Sequence, residues 1–141
     1  METDRAPLTD FVIDASVAIV WFLPDETNPI ADKALVLLDT VKAYVPDLFW
    51  HEIRNVLMIC FRRKRLTLAE VWHSTHRLEQ LDIVTAMHTS GDQILTLANR
   101  HNLTAYDAAY LALAMDMRLP LATLDKQLRA AAAREGVPLL A

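Results

Sequence analysis

At 141 residues the chain has the length of one ordinary domain, roughly 100–150 residues, enough to bury a core without covalent staples. With 53% apolar and 23% charged residues it is no disordered chain, and a lone cysteine, Cys60, excludes an internal disulfide or a cysteine-built zinc cage. A net charge of −4 counts against a general nucleic-acid binder, but not against a nuclease whose acids gather in an active site and are offset there by metal ions.

The N-terminal METDRAPLTDF has no basic-then-apolar targeting pattern. The longest unbroken apolar run, Ala108 to Met115, is eight residues, against about 20 for a membrane-spanning helix. A cytoplasmic protein without membrane association is expected. Phe11-Val12-Ile13 is a short apolar run ending at Asp14, as a buried strand reads. Ser16 to Leu23 predicts an apolar helix stopped by Pro24. Pro29 to Val41 follows with apolar residues at helical spacing. Ala43-Tyr44-Val45 is a second strand closed by Pro46, and a long helix runs from about Leu48 to Arg65. Cys60 lies in the apolar part of that helix, the setting of a buried, inert thiol.

Thr67, with Glu70 three residues on, marks a capping box ahead of a helix from Leu68 to Gln80. Ile83-Val84 is strand-like, and helices are expected over Gly91 to His101 and Ala105 to Arg118. Leu121-Ala122-Thr123 is a strand, Lys126 to Glu135 a helix ended by Gly136, and Val137 to Leu140 a closing strand. No linker or repeat interrupts the series, so one domain, residues 1–141, is expected. Short, wholly apolar strands alternating with helices predict an α/β fold with a parallel sheet sandwiched by helices. Such sheets bind ligands at the carboxyl ends of their strands, where Asp14 and Asp125 both fall.

Asp14 and Asp125 each have a plain structural reading, as caps of the helices that follow them, and Thr104 with Asp107 fits a capping box. Glu52 has none. It sits inside a helix on a stripe of Leu48, Glu52, Asn55 and Ile59 that carries no Lys or Arg to pair with it. Buried carboxylates are rare unless paired or metal-bound. Acids gathered without cations repel one another, and oxygen ligands favour Mg²⁺ or Mn²⁺, which suits phosphodiester cleavage. His73 and His76, beside Glu70 and Glu79, read as a solvated helix face, and Arg62 to Arg65 as a cationic helix end with RNA phosphate contact as the alternative. His51 adjoins Glu52 but points about a quarter-turn away. Neither glycine belongs to a phosphate-cradling loop, which disfavours a nucleotide cofactor.

Through FVIDASVAIVWFL, VPDLFWHEIRNVL and NLTAYDAAYLALAMDMRLPLATLDKQL, closing with GVPLL, the chain resembles a PIN domain, specifically the toxin half of VapBC-type toxin–antitoxin pairs. The match runs through essentially the whole chain in order. It implies a sheet of about five parallel strands between helices, with Asp14, Glu52, Asp107 and Asp125 at the family's acidic positions. It further implies Mg²⁺- or Mn²⁺-dependent RNA cleavage and inhibition by a cognate antitoxin. On this reading Asp14, Glu52 and Asp107 hold the metal, and Asp125 orients the attacking water from outside the coordination sphere. Ser16, Asn55 and Thr123 position phosphate or water, and the products are a 5′-phosphate and a 3′-hydroxyl. A homodimer is expected, with Val17 to Leu23 contributing to the antitoxin groove. Two rivals remain: a signalling domain with an acidic pocket, which lacks its adjacent acids because Ala15 and Ser16 follow Asp14, and a non-catalytic module in which every acid is a cap.

Overall fold

The computed structural model describes residues 8–87 and 90–141; part of the N-terminal segment read for a targeting pattern, residues 1–7, lies outside them. Strands β1 (Phe11–Ile13), β2 (Ala43–Val45), β3 (Ile83–Thr85) and β4 (Leu121–Ala122) form one sheet in the order β3-β2-β1-β4, with every pairing parallel. Flanking it among the described residues are α1 (Ala15–Ala18), α2 (Pro29–Leu37), α3 (Leu48–Arg62), α4 (Leu68–Glu79), α5 (Gly91–His101), α6 (Ala105–Met117) and α7 (Lys126–Arg134). None of these helices is long and apolar enough to cross a membrane.

The expected parallel α/β architecture is present; α2 stops at Leu37 rather than Val41 and α3 at Arg62 rather than Arg65, and two further local differences stand out. The closing strand shrinks to a single parallel bridge between Leu121 and Leu139, so the sheet has four strands. Pro138 has no N–H to donate and can enter the ladder only as an acceptor, which it does for the Leu121 N–H at 2.9 Å. The helix expected from Ser16 to Leu23 divides into α1 and a 3₁₀ helix, Ile19–Phe22. Val17, Ile19 and Val20 are β-branched, which weakens α-helix here, and Pro24 follows closely.

Burial explains why such short strands hold. Phe11, Val12 and Ile13 are fully buried between β2 and β4, so β1 is the spine of the sheet. Helix α6 packs on β1 and β4, and each residue from Ala108 to Ala114 is at most 4% exposed. A helix apolar on every side belongs at the centre of a fold. One hydrophobic cluster joins all seven helices to the sheet. The left-handed turn that ends α5 falls on Asn102, a residue suited to it, while that ending α6 falls on Arg118.

The strand order fixes where a site can form. From β1 the chain continues to β2 on one side, while β4 pairs on the other. This switch of direction opens a crevice beyond the carboxyl ends of β1 and β4, the place where open α/β sheets bind ligands. Because α6 backs that crevice, Leu111→Ala is expected to cost about 2–5 kcal/mol of stability, measured by urea unfolding at an unchanged denaturant slope. A loss below about 1 kcal/mol would show that α6 does not form the centre of the core.

Candidate active site

Each acid reaches the crevice through a different local rule. Asp14 is the first residue beyond β1, where the register Ile13 to Ala122 sets it beside Thr123. It is only 4% exposed. Its Oδ1 accepts from the Ser16 hydroxyl at 2.6 Å and the Val17 N–H at 3.3 Å, and its Oδ2 accepts from the Thr123 hydroxyl. The Val17 contact caps α1, so the capping reading of Asp14 is correct. With two lone pairs on each oxygen, Oδ2 keeps one unspent.

The hydroxyls have further duties. Ser16 Oγ accepts from the Leu124 N–H at 2.9 Å, and Thr123 Oγ1 from the Asp125 N–H at 3.1 Å. Together they lace the end of β1 to the turn after β4. Asp125 caps α7, its Oδ2 accepting from the Leu128 N–H at 2.9 Å. At α6 the cap is Thr104, whose hydroxyl accepts from the Asp107 N–H at 3.1 Å. In α4 the matching box closes on itself, since Glu70 returns a bond to the Thr67 N–H at 2.8 Å. The Asp107 carboxylate instead lines the crevice.

Glu52 comes from the second turn of α3, half-buried. Its Oε1 accepts from the Tyr110 hydroxyl, a partner 58 residues away that was not among the expected site residues. Tyr110 lies three residues after Asp107 on α6, and that helical spacing onto one face was the available signal. A cavity of about 290 Å³ brings Asp14, Ser16, Glu52, Asp107, Tyr110 and Asp125 together, with Ile19 and Val56 as apolar wall. Asn55 stands outside it. It is exposed and lines a neighbouring groove that shares Glu52 with the cavity.

The electrostatics mark a site short of positive charge. Burial pushes the Asp14 carboxyl up to about 6, although Ser16, Thr123 and Val17 pull the other way and the Asp107 charge adds to the rise. Burial likewise raises Glu52, partly offset by Tyr110 and reinforced by Asp107. Asp107 is raised by burial and then by the Asp125 charge. The Tyr110 phenol is driven far above its ordinary value by burial and by Glu52, so it stays a neutral donor. Strongly perturbed groups converging in a cleft are the signature of a functional site.

The donor set suits a hard divalent cation, since every candidate ligand is a carboxylate oxygen. No three His, Cys, Asp or Glu residues among the described ones stand close enough to cage an ion by themselves. Mg²⁺ does not require this, because it is commonly held by one or two carboxylates with waters and substrate phosphates. The three histidines singled out in the sequence lie outside this cavity. His51 is exposed and lies 3.4 Å from Asp47, and His73 and His76 lie on the outer face of α4. Of Val17 to Leu23, only Trp21 and Phe22 reach the surface; the other five residues are buried.

A parallel sheet with acids from four separate elements at its switch point defines an α/β domain built around a carboxylate pocket. The chain belongs to the PIN-domain family, whose model matches residues 11–134. Ribonuclease VapC3 of Pyrobaculum aerophilum is 31% identical over 120 residues, spanning 83% of this chain and 90% of that protein. Three solved structures share the fold. The Pyrobaculum aerophilum protein PAE2754 aligns at TM-score 0.68 and 23% identity, over 87% of this chain and 86% of that one. FitAcB from Neisseria gonorrhoeae aligns at 0.63 and 21%, over 93% and 96%. A toxin–antitoxin complex from Klebsiella pneumoniae aligns at 0.58 and 19%, over 82% and 86%.

The elevated Asp14 carboxyl has a measurable consequence. A group raised in the fold from 3.8 to about 6 favours folding when protonated. That contribution is fully present below the unfolded value and lost as pH rises through about 6, a swing of about 3 kcal/mol. In metal-free buffer, the stability of Asp14→Asn minus that of the parent should therefore fall by about 3 kcal/mol between pH 8 and pH 3. Urea unfolding across that range checks it, and a pH-independent difference would show that Asp14 is not held in a charge-averse place.

Proposed function

We propose that this chain is a Mg²⁺- or Mn²⁺-dependent endoribonuclease, the toxin of a toxin–antitoxin pair. The observation that carries the reading is the cavity itself, where Asp14, Glu52, Asp107 and Asp125 meet and the first two are tethered by hydroxyls rather than by cations. The relative named a ribonuclease, alike over most of both chains, supports the same activity.

In this mechanism Asp14, Glu52 and Asp107 would hold the metal between them, one or two directly and the rest through its bound waters. The cation, when bound, polarises the scissile phosphate and lowers the pKa of a water. Ser16 and Thr123 fix the Asp14 carboxylate, and Tyr110 fixes Glu52. Asp125 spends Oδ2 on its cap, which leaves Oδ1 to accept a hydrogen bond from the attacking water and orient it. In-line displacement of the 3′-oxygen then yields a 5′-phosphate and a 3′-hydroxyl. Ile19 and Val56 form the apolar part of the same cavity's wall.

The partners we propose are a cognate antitoxin and a second copy of the chain. Trp72 is 61% exposed and Leu68 is 48% exposed, and both line a groove of about 320 Å³ between α3 and α4 with Met58 and Val71. Trp21 and Phe22 line a separate groove against the opposite face of α4. Exposed apolar surface of this kind favours a protein partner, and the structural neighbour from Klebsiella pneumoniae is itself a toxin–antitoxin complex.

Purified protein is expected to cut labelled RNA in Mg²⁺ or Mn²⁺ and to stop in EDTA; cleavage undiminished by the chelator, with contaminants excluded, would falsify the metal reading. Asp107→Asn and Glu52→Gln should each lose at least about 100-fold in rate, more than the usual cost of losing an outer partner. Each also removes a like charge, so its metal-free melting temperature should hold or rise. Added Mn²⁺ should raise the melting temperature of the parent, because a ligand that binds only the native state stabilises it, and the rise should shrink in both variants. Equal rises in parent and Glu52→Gln would remove Glu52 from the metal site.

A further inference from the structure

We propose that the groove beside the carboxylate cavity is a nucleobase subsite, in which Tyr106 stacks on an unpaired base next to the scissile phosphate and Asn55 reads its edge. The inference rests on the ribonuclease reading above and names two residues that would contact the substrate beside the cut. Leu48, His51, Glu52, Asn55 and Tyr106 line this groove, which encloses about 400 Å³. Glu52 is also a wall of the carboxylate cavity, so the two spaces adjoin. A phosphate seated among the acids therefore places its neighbouring nucleoside at the mouth of the groove.

The lining has the chemistry a base requires. Tyr106 stands one helical turn before Tyr110 on α6, yet the two have opposite fates. Tyr110 is 1% exposed and spends its hydroxyl on Glu52, whereas Tyr106 is 66% exposed. An aromatic ring left in water beside a phosphate-handling site offers a stacking face, and every base has a π-face to match it. Leu48 supplies apolar surface in the same groove. The Asn55 amide presents both donors and an acceptor, which is what the edge of an unpaired base meets. His51 is drawn toward Asp47 at 3.4 Å, which limits the positions its ring can take.

The test uses full-length protein and a labelled single-stranded oligoribonucleotide with one mapped cleavage site. Loss of one stacking contact is worth roughly five- to a hundredfold, so Tyr106→Ala should raise KM by a factor in that range with kcat less affected. Tyr106→Phe, which keeps the ring, should stay close to the parent. Binding of the same oligonucleotide in EDTA, followed by fluorescence anisotropy, should weaken in the same order without any turnover. The decisive arm replaces each nucleotide flanking the cut by an abasic one. At one position the abasic loss should match that of Tyr106→Ala, and the two losses should not add. Additive losses at every position, or KM and anisotropy unmoved by Tyr106→Ala in a protein that still cleaves, would overturn the subsite. A parent protein that cuts no RNA in Mg²⁺ or Mn²⁺ would instead overturn the ribonuclease reading.

Discussion

The structure turns on a carboxylate held where charge is least welcome. Asp14 closes a strand whose three residues are fully buried, so its side chain has nowhere to go but the crevice between β1 and β4. An unpaired ion in such a place costs several kcal/mol. Three hydrogen bonds, from Ser16, Val17 and Thr123, offset part of that cost, yet burial still outweighs them and the carboxyl remains raised. The Thr123 bond, with that from the Leu124 N–H to Ser16, joins β1 to the turn after β4, which puts Asp125 at the head of α7 within the cavity. The geometry of the site and the closure of the sheet are therefore one set of contacts.

Helix caps and active-site acids are often treated as alternative explanations for an Asp at a strand end. Here they coincide. Asp14 and Asp125 each accept from a backbone N–H at a helix start, and each also lines the cavity. A carboxylate has two oxygens and about four lone-pair positions, so one cap does not exhaust it. The arrangement also helps the acids coexist. Helices α6 and α7 begin beside the cavity, with Asp107 in the first turn of one and Asp125 capping the other. The partial positive charge at a helix N-terminus favours such anions by about 0.3–1 kcal/mol each, enough to ease the repulsion without neutralising it.

How much of this the sequence revealed follows from the range of each signal. The strands Phe11–Ile13 and Ala43–Val45 and the helix Gly91–His101 have the expected bounds, because an apolar run or a capped amphipathic stretch is a local pattern. The end of the chain is a different matter: Val137 to Leu140 reads as a strand locally, but the ladder depends on what Pro138 can offer a neighbour. The four acids were legible from their positions after strands and within helices, and they do share one cavity. Tyr110 was not, because a phenol in an apolar helix counts as one more hydrophobe until α3 brings Glu52 to it. Asn55 shares a helix stripe with Glu52, but only Glu52 reaches the carboxylate cavity, and the two residues meet in the outer groove.

What separates these acids from ordinary structural ones is the nature of their partners, and the molecule contains its own control. Glu135, which ends α7, is also largely covered, but it is bound by Arg100 and His101 at 2.6 Å each. Those contacts, His101 first, hold its carboxyl below the usual range. That acid is satisfied, ties α5 to α7, and has little left to offer a metal. Asp14 and Glu52 are oriented with equal care but by Ser16, Thr123 and Tyr110, which bring no charge. Had an Arg stood in place of Tyr110, Glu52 would be pinned as firmly, and its negative charge would already be spent. Neutral donors position a carboxylate while leaving its field intact, and it is this uncompensated field that a divalent cation would answer.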